Sequence, residues 1–276
     1  MASDGKNNNL KYSLISIGVV IVVFLIIIVA QSPTTPNLNG SDSLASSTIE
    51  NDVSTVSTNV LNSIGTGTTI SQPKAITGQS LTKNGKPEIL YMGAEYCPYC
   101  AAERWSMAVS LARFGTFKNL EVTHSSASDA YPDTQTLSFY QSSYTSSYVV
   151  FTPVELYSNV AQGSGYATLM TPTSEQQSLM NTYDSAPYVS SGSNGAIPFI
   201  YMYGKYLITG ANFLPSALQN KTATQIANSL NSTSNPIAKA VDGAANLFTA
   251  ATCSITNNQP ASACTMQIKA IEKTIE

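Results

Sequence analysis

The sequence predicts an α/β domain held behind one membrane-spanning helix, and three observations carry that prediction. Residues 12–30, YSLISIGVVIVVFLIIIVA, run for nineteen positions without a charge, the length a helix needs to cross the apolar part of a bilayer. A Cys-x-x-Cys, Cys97-Pro98-Tyr99-Cys100, lies between an apolar run of strand length and a run with helical periodicity. Two more apolar runs flank Gly204-Lys205 and read as a β-hairpin.

The chain has 276 residues, 43% of them apolar, enough to bury a core. Charge is sparse at 11% and sums to −3, Arg104 and Arg113 are the only arginines, and no basic cluster follows the first few residues. Such a surface does not fit nucleic acid as a partner. Polarity comes instead from Ser, Thr, Asn, Gln and fifteen tyrosines, which suits an exterior surface.

The N-terminal elements set the compartment. Lys6 and Lys11 precede the apolar run and no charge follows it until Asp42. Residues 1–11 are therefore expected in the cytoplasm, residues 12–30 in the membrane and the rest outside. A cleaved signal peptide is the rival reading, but the run is long for one, and Ile28 and Ala30 make a poor small-x-small site. Disulfides persist outside the membrane. Asn39-Gly40-Ser41, Asn220-Lys221-Thr222 and Asn231-Ser232-Thr233 are possible glycan acceptors there.

Residues 31–46, rich in Pro, Gly and small polar side chains, read as a tether to a domain spanning 47–276. Ser47 and Glu50 have capping-box spacing, and Ile49, Val53, Val56, Val60 and Ile64 recur at helical intervals up to Gly65. A continued stalk is the alternative, because threonines and β-branched residues weaken the helix. Pro87 to Met92 then predicts a buried strand, Pro98 to Phe114 a helix closed by Gly115, and Leu120 to His124 a second strand, together a β-α-β unit.

Residues 126–190 read as an insertion, with an alternating stretch from Leu137 to Tyr157 and a helix from Thr173 to Tyr183. The hairpin around Gly204-Lys205 and a helix from Thr222 to Leu230 come next. A helical hairpin over about 236–276 closes the chain, from Ile237 to Ala251 and from Ala263 to Ile275. Cys253 and Cys264 flank its connection and are expected to be bonded as a structural disulfide; a second redox relay is the other option.

The Cys97–Cys100 pair allows three readings. A zinc site needs two such pairs or added histidines, whereas ten residues separate the second pair and His124 is the only histidine. An inert cross-link over so short a loop would add little stability. A working dithiol fits the position: unpaired N–H groups and the helix dipole favour thiolate at the first cysteine, and the second lies one turn in. Cys97 is then the nucleophile and Cys100 the resolving thiol.

Pro98 suits a first helical turn. Glu95 and Glu103 read as solvated carboxylates, His124 as a structural or surface histidine, Arg104 and Trp105 as packing without chemistry, and the tyrosine-rich insertion as packed sheet rather than a sugar platform. No phosphate loop, Gly-x-Ser-x-Gly elbow or His-Glu-x-x-His is present in the sequence.

The order strand, GAEYCPYC, helix, strand, then AIPF opening a hairpin and a closing helix resembles the thioredoxin superfamily. Pro98-Tyr99 resembles the glutaredoxin dipeptide, and Ala94-Glu95-Tyr96 the thioredoxin segment before its first cysteine. The anchor followed by YMGAEYCPYCAAERWSMAVSLARFG and FTPVEL is similar to an archaeal and bacterial family defined only as a domain of unknown function. The resemblance implies a thioredoxin-like fold with an insertion before a cis-proline loop at Ile197-Pro198, where the backbone of Ile197 pairs with a substrate strand.

Its implied activity is thiol-disulfide exchange with extracytoplasmic protein thiols and disulfides, oxidation or isomerisation favoured. A reductase would need electrons from an unidentified membrane redox partner. No cofactor beyond a Cys97–Cys100 disulfide, and no metal, is expected. One departure stands out: thioredoxins carry a buried aspartate six residues before the first cysteine, and Tyr91 stands there. The alternative reading is a redox-inactive surface binding module on the same scaffold.

Overall fold

In the computed structural model, which describes residues 40–276, the chain opens with α1 (Gly40–Ser54) and α2 (Thr58–Ile64). Ile49 and Val53 bury in the main core as the periodicity expects, but Val56, Val60 and Ile64 are only partly buried, and Leu61, outside the expected set, takes the buried place on α2. The boundaries differ from expectation, because the first helix already runs at Gly40, inside the segment read as tether, and one expected helix is two. The Ser54 and Thr55 hydroxyls donate back to the Asn51 carbonyl, and the Ser57 Oγ starts a new helix by accepting from the Val60 N–H. The expected span 12–30 lies outside the described residues, as do the N-terminal segment and residues 31–39. No helix among the described residues is long and apolar enough to cross a membrane.

Three strands, β1 (Lys74–Ala75), β2 (Thr82–Lys83) and β3 (Lys86–Gly93), lead to α3 (Pro98–Leu111). Five more follow: β4 (Gly115–Lys118), β5 (Glu121–His124), β6 (Gln135–Ser138), β7 (Ser143–Ser146) and β8 (Val150–Glu155). The hairpin β9 (Tyr157–Gln162) and β10 (Gly165–Thr168) precedes α4 (Ser174–Tyr183), which a Thr173–Gln176 capping box opens. The second hairpin, β11 (Phe199–Met202) and β12 (Tyr206–Thr209), leads to α5 (Ala223–Ser229), α6 (Pro236–Ile255) and α7 (Met266–Ile275).

The central sheet is mixed. β1, β12, β11 and β3 lie side by side and antiparallel, β3 also pairs antiparallel with β2, and β8 joins it in parallel, Tyr91 opposite Pro153. Side-chain alternation along β3 sends Ile89 and Tyr91 to one face, where α3, α6 and α7 pack, and Leu90 and Met92 to the other, with Leu179, Met180 and Tyr183 of α4. A strand buried on both faces reads as an unbroken apolar run, which is how ILYM stood out.

The parallel partner of β3 is not the one expected. The strand ending at His124 is β5, which pairs with β6 in a separate ribbon, while β4 pairs with β7. Glu121 to His124 has no fully buried residue, so it has little to gain from a central position. Val150 to Glu155 buries Phe151, Val154 and Glu155 and takes the place beside β3. Its Pro153 fits a strand that pairs on one side only among the described residues. What read as one insertion over 126–190 therefore lies on both sides of a sheet strand.

α6 is buried on nearly every side and rich in alanine. Pro236 stands in its first turn, and Asn235 caps it by accepting from the Ile237 N–H. A side chain at Gly243 would run into the Thr66 carbonyl, so glycine permits the chain after α2 to lie directly on this helix. Cys253 near the end of α6 is bonded to Cys264 just before α7, across 11 positions.

Candidate functional site

β3 delivers the chain to Ala94, a short turn follows, and α3 starts at Pro98 with Cys97 as its N-cap residue. The Cys97 Sγ accepts from the Cys100 N–H at 3.3 Å, one of the donors a helix start leaves unpaired. Both cysteines are thiols, and their surroundings differ. Cys97 keeps 5% exposure and Cys100 none. The Cys100 thiol donating to its sulfur holds the Cys97 pKa below the ordinary thiol value against the opposing effect of burial, with help from the Cys100 and Tyr99 N–H groups and the Arg104 guanidinium. Burial pushes Cys100 well up.

The Ile197 carbonyl oxygen lies 3.6 Å from the Cys97 Sγ. The Ile197–Pro198 peptide bond is cis, one of three cis X-Pro bonds among the described residues. The fold thus brings Cys97, Cys100, Ile197 and Pro198 to one place, while Cys253 and Cys264 hold the C-terminal helices.

Beneath the thiols lies a buried ion pair. Arg104, one helical turn after Cys100, donates through Nε and Nη2 to the two Glu155 carboxylate oxygens at 2.8 and 2.9 Å, and neither side chain is exposed. Nη2 also donates to the Ala94 carbonyl at 2.6 Å, and that carbonyl accepts from the Cys97 N–H at 3.3 Å. The guanidinium therefore fixes β8, the turn before Cys97 and α3 to one another. Burial works against its charge, but the Glu155 carboxylate prevails and raises the Arg104 pKa.

Arg104 Nη1 and the Tyr91 Oη are both buried without a hydrogen-bond partner among the described residues. Tyr91 occupies the position where the resemblance calls for an aspartate, and burial raises its pKa well above the usual phenol value. It is not a base. Any side chain at Gly93 would overlap the phenol, so glycine here makes room for it.

Two readings of charged residues need correction. Glu103 is fully buried; its oxygens accept from the Asn212 N–H at 2.8 Å and the Ser106 Oγ at 2.9 Å, and burial raises its pKa to about 7. Glu95 is largely buried too, its pKa raised by desolvation, and accepts from the Ser138 Oγ at 2.6 Å. Each carboxylate satisfies an interior donor that the linear sequence does not show. Trp105 is buried and donates to the Gln135 carbonyl. His124 is exposed, 2.9 Å from the Ser125 carbonyl and 3.6 Å from Asp133. No group of three or more His, Cys, Asp or Glu residues among the described residues is arranged to hold a metal ion.

Arg104 and Glu155 were missed as site residues, although a signal existed. Arg104 stands four positions after Cys100, hence on the same helix face, and Glu155 interrupts the apolar run FTPVEL. A charge inside a buried strand calls for a partner, and Arg104 is one of two arginines in the chain.

Fold and site define a mixed α/β protein with a Cys-x-x-Cys dithiol at a helix start beside a cis-proline turn. The chain belongs to the family described as a domain of unknown function (DUF929), whose family model matches residues 72–254 and so takes in both site cysteines and Pro198. No curated protein and no solved structure matches the chain.

Proposed function

We propose that this chain is a membrane-anchored, extracytoplasmic thiol-disulfide oxidoreductase with a thioredoxin-like domain, acting on protein substrates through Cys97 and Cys100. The observation that carries the reading is the asymmetry of the pair: Cys97 is at the helix start with its thiolate favoured, and Cys100 is fully buried with its thiol form favoured. An inert cross-link has no need of that difference.

In the reducing direction the Cys97 thiolate attacks one sulfur of a substrate disulfide. A Cys97–substrate disulfide forms and the other substrate sulfur leaves as thiolate. Cys100 then loses its proton to solvent and attacks the Cys97 sulfur, closing the Cys97–Cys100 disulfide and releasing the second substrate thiol. The reverse sequence oxidises a substrate dithiol. Stabilising the Cys97 thiolate stabilises the reduced pair, which makes the disulfide form the better oxidant and favours oxidation or isomerisation. Tyr91, a phenol in place of a carboxylate and raised in pKa by burial, supplies Cys100 with no base. The Ile197 backbone beside Cys97 is placed for pairing with an extended substrate.

The test is exchange by the full chain on a reduced and on a scrambled disulfide protein. Regain of native disulfides that depends on Cys97 supports the reading. No acceleration of either substrate contradicts it and leaves a binding module.

A further inference from the structure

We infer that the tyrosines around Cys97 form a docking rim for extended polypeptide segments whose cysteine is flanked by lysine or arginine. The inference rests on the thiol-exchange reading and names its substrate class.

Two segments outside the dithiol turn build the rim. In the loop 125–133, the Ser126 N–H donates to the Tyr96 carbonyl at 2.8 Å, and the Tyr131 ring meets Tyr99 edge-on at 5.9 Å. In the hairpin β9–β10, the Tyr157 carbonyl accepts from the Glu95 N–H at 2.9 Å. Tyr166 of that hairpin stacks on Tyr96 at 4.2 Å and donates from its Oη to the Ser126 Oγ at 2.7 Å. Backbone bonds, a stacked pair and a hydroxyl bond thus clamp both segments to the residues just before Cys97. Tyr99 and Tyr157 remain 37% and 40% exposed.

The Lys74 ammonium lies on the Tyr188 carbonyl, in the segment leading to Ile197; the two rim segments themselves carry charge of one sign. Residues 125–133 and 157–168, both bonded to the turn before Cys97, contain no lysine or arginine. Their charged side chains are the carboxylates of Asp129 and Asp133, both exposed. Tyrosine faces attract ammonium and guanidinium groups, and a nearby carboxylate adds to that attraction. Acidic flanks meet only repulsion. A sugar is a poorer occupant, because Tyr96 and Tyr166 turn ring faces to each other and leave no slot between them. An extended segment with its cysteine aimed at Cys97 turns the side chains two positions away on either side to the same face, toward the rim.

The experiment uses the full chain with Cys100→Ser, so that reaction stops at the first bond. Three peptides of equal length carry Lys, Ser or Glu two positions to either side of one cysteine, capped as a mixed disulfide with 2-mercaptoethanol. The Cys97 thiolate attacks the peptide sulfur, a Cys97–peptide disulfide forms, and 2-mercaptoethanol leaves as thiolate. Intact mass follows the adduct. Each rate is divided by the rate at which free 3-mercapto-1,2-propanediol, a different neutral thiol, forms its own mixed disulfide with that peptide, which removes the effect of flanking charge on the peptide sulfur.

The Lys peptide is expected to react about five- to tenfold faster than the Glu peptide at low salt, with the ratio shrinking as salt rises. Asp129→Asn and Tyr131→Ala should each pull the ratio toward one. Asp129→Asn is the variant that leaves the packed rings in place. Equal normalised rates, or a faster Glu peptide, overturn the inference; if bis(2-hydroxyethyl) disulfide still modifies Cys97, the exchange reading survives. If that small disulfide does not react either, the reading fails and takes the inference with it.

Discussion

Arg104 and Glu155 show how one buried pair can serve both fold and chemistry. Breaking a fully buried ion pair by removing one partner strands the other charge, at a cost of about 3–5 kcal/mol, whereas removing both is close to neutral. Arg104→Met and Glu155→Leu should each lower the melting temperature steeply, and the double variant should recover most of the loss. The chemistry should not recover with it, because the cation that favours the Cys97 thiolate is gone; Cys97 should then alkylate at higher pH in the double variant than in the native chain. A stable single variant, or an unmoved alkylation profile, would count against this role. At this scale the cysteines were legible because spacing alone places them one helical turn apart. Glu103 was not, since its partner is a backbone N–H 109 positions away, and periodicity carries no record of so distant a donor.

Among the elements, the C-terminal helical hairpin was legible and the parallel strand was not. The helical runs ending near Cys253 and beginning near Cys264 announce two helices joined by a short connection, and the fold bonds these cysteines. Replacing both with serine should cost roughly 2–3 kcal/mol, read as a lower denaturant midpoint with little change in slope. An unchanged midpoint would mean that the packing of α6 and α7 suffices without the bond. β8 escaped the reading because Pro153 and the short apolar stretches around it resemble any edge strand, and only pairing with β3 makes it part of the central sheet. The hairpin β9–β10 was equally opaque. Its tyrosines announce packing, and what they pack on is the turn before Cys97.

Across the whole molecule, buried acids give stability a definite pH dependence. Asp242 on α6 is fully buried with neither oxygen partnered among the described residues, and desolvation raises its pKa to about 8; the same cause raises Glu103 to about 7. Both folded values lie above those of the unfolded chain, so the fold binds these protons more tightly. The resulting stabilisation is complete below about pH 4 and is lost as pH rises through about 7 to 8. The melting temperature of the full chain should therefore fall between mildly acidic pH and pH 8, by on the order of 5 °C or more. Asp242→Asn should flatten the fall; an equally steep fall in that variant would exclude Asp242 as its source. The central claim, a directional dithiol, has a more direct test in the pH dependence of alkylation of the reduced full chain, read cysteine by cysteine by peptide mass. The account predicts that Cys97 alkylates with an apparent pKa well below the ~8.5 of a free thiol, while Cys100 stays nearly unreactive. Cys97 titrating like a free thiol, or Cys100 reacting as fast, would contradict it.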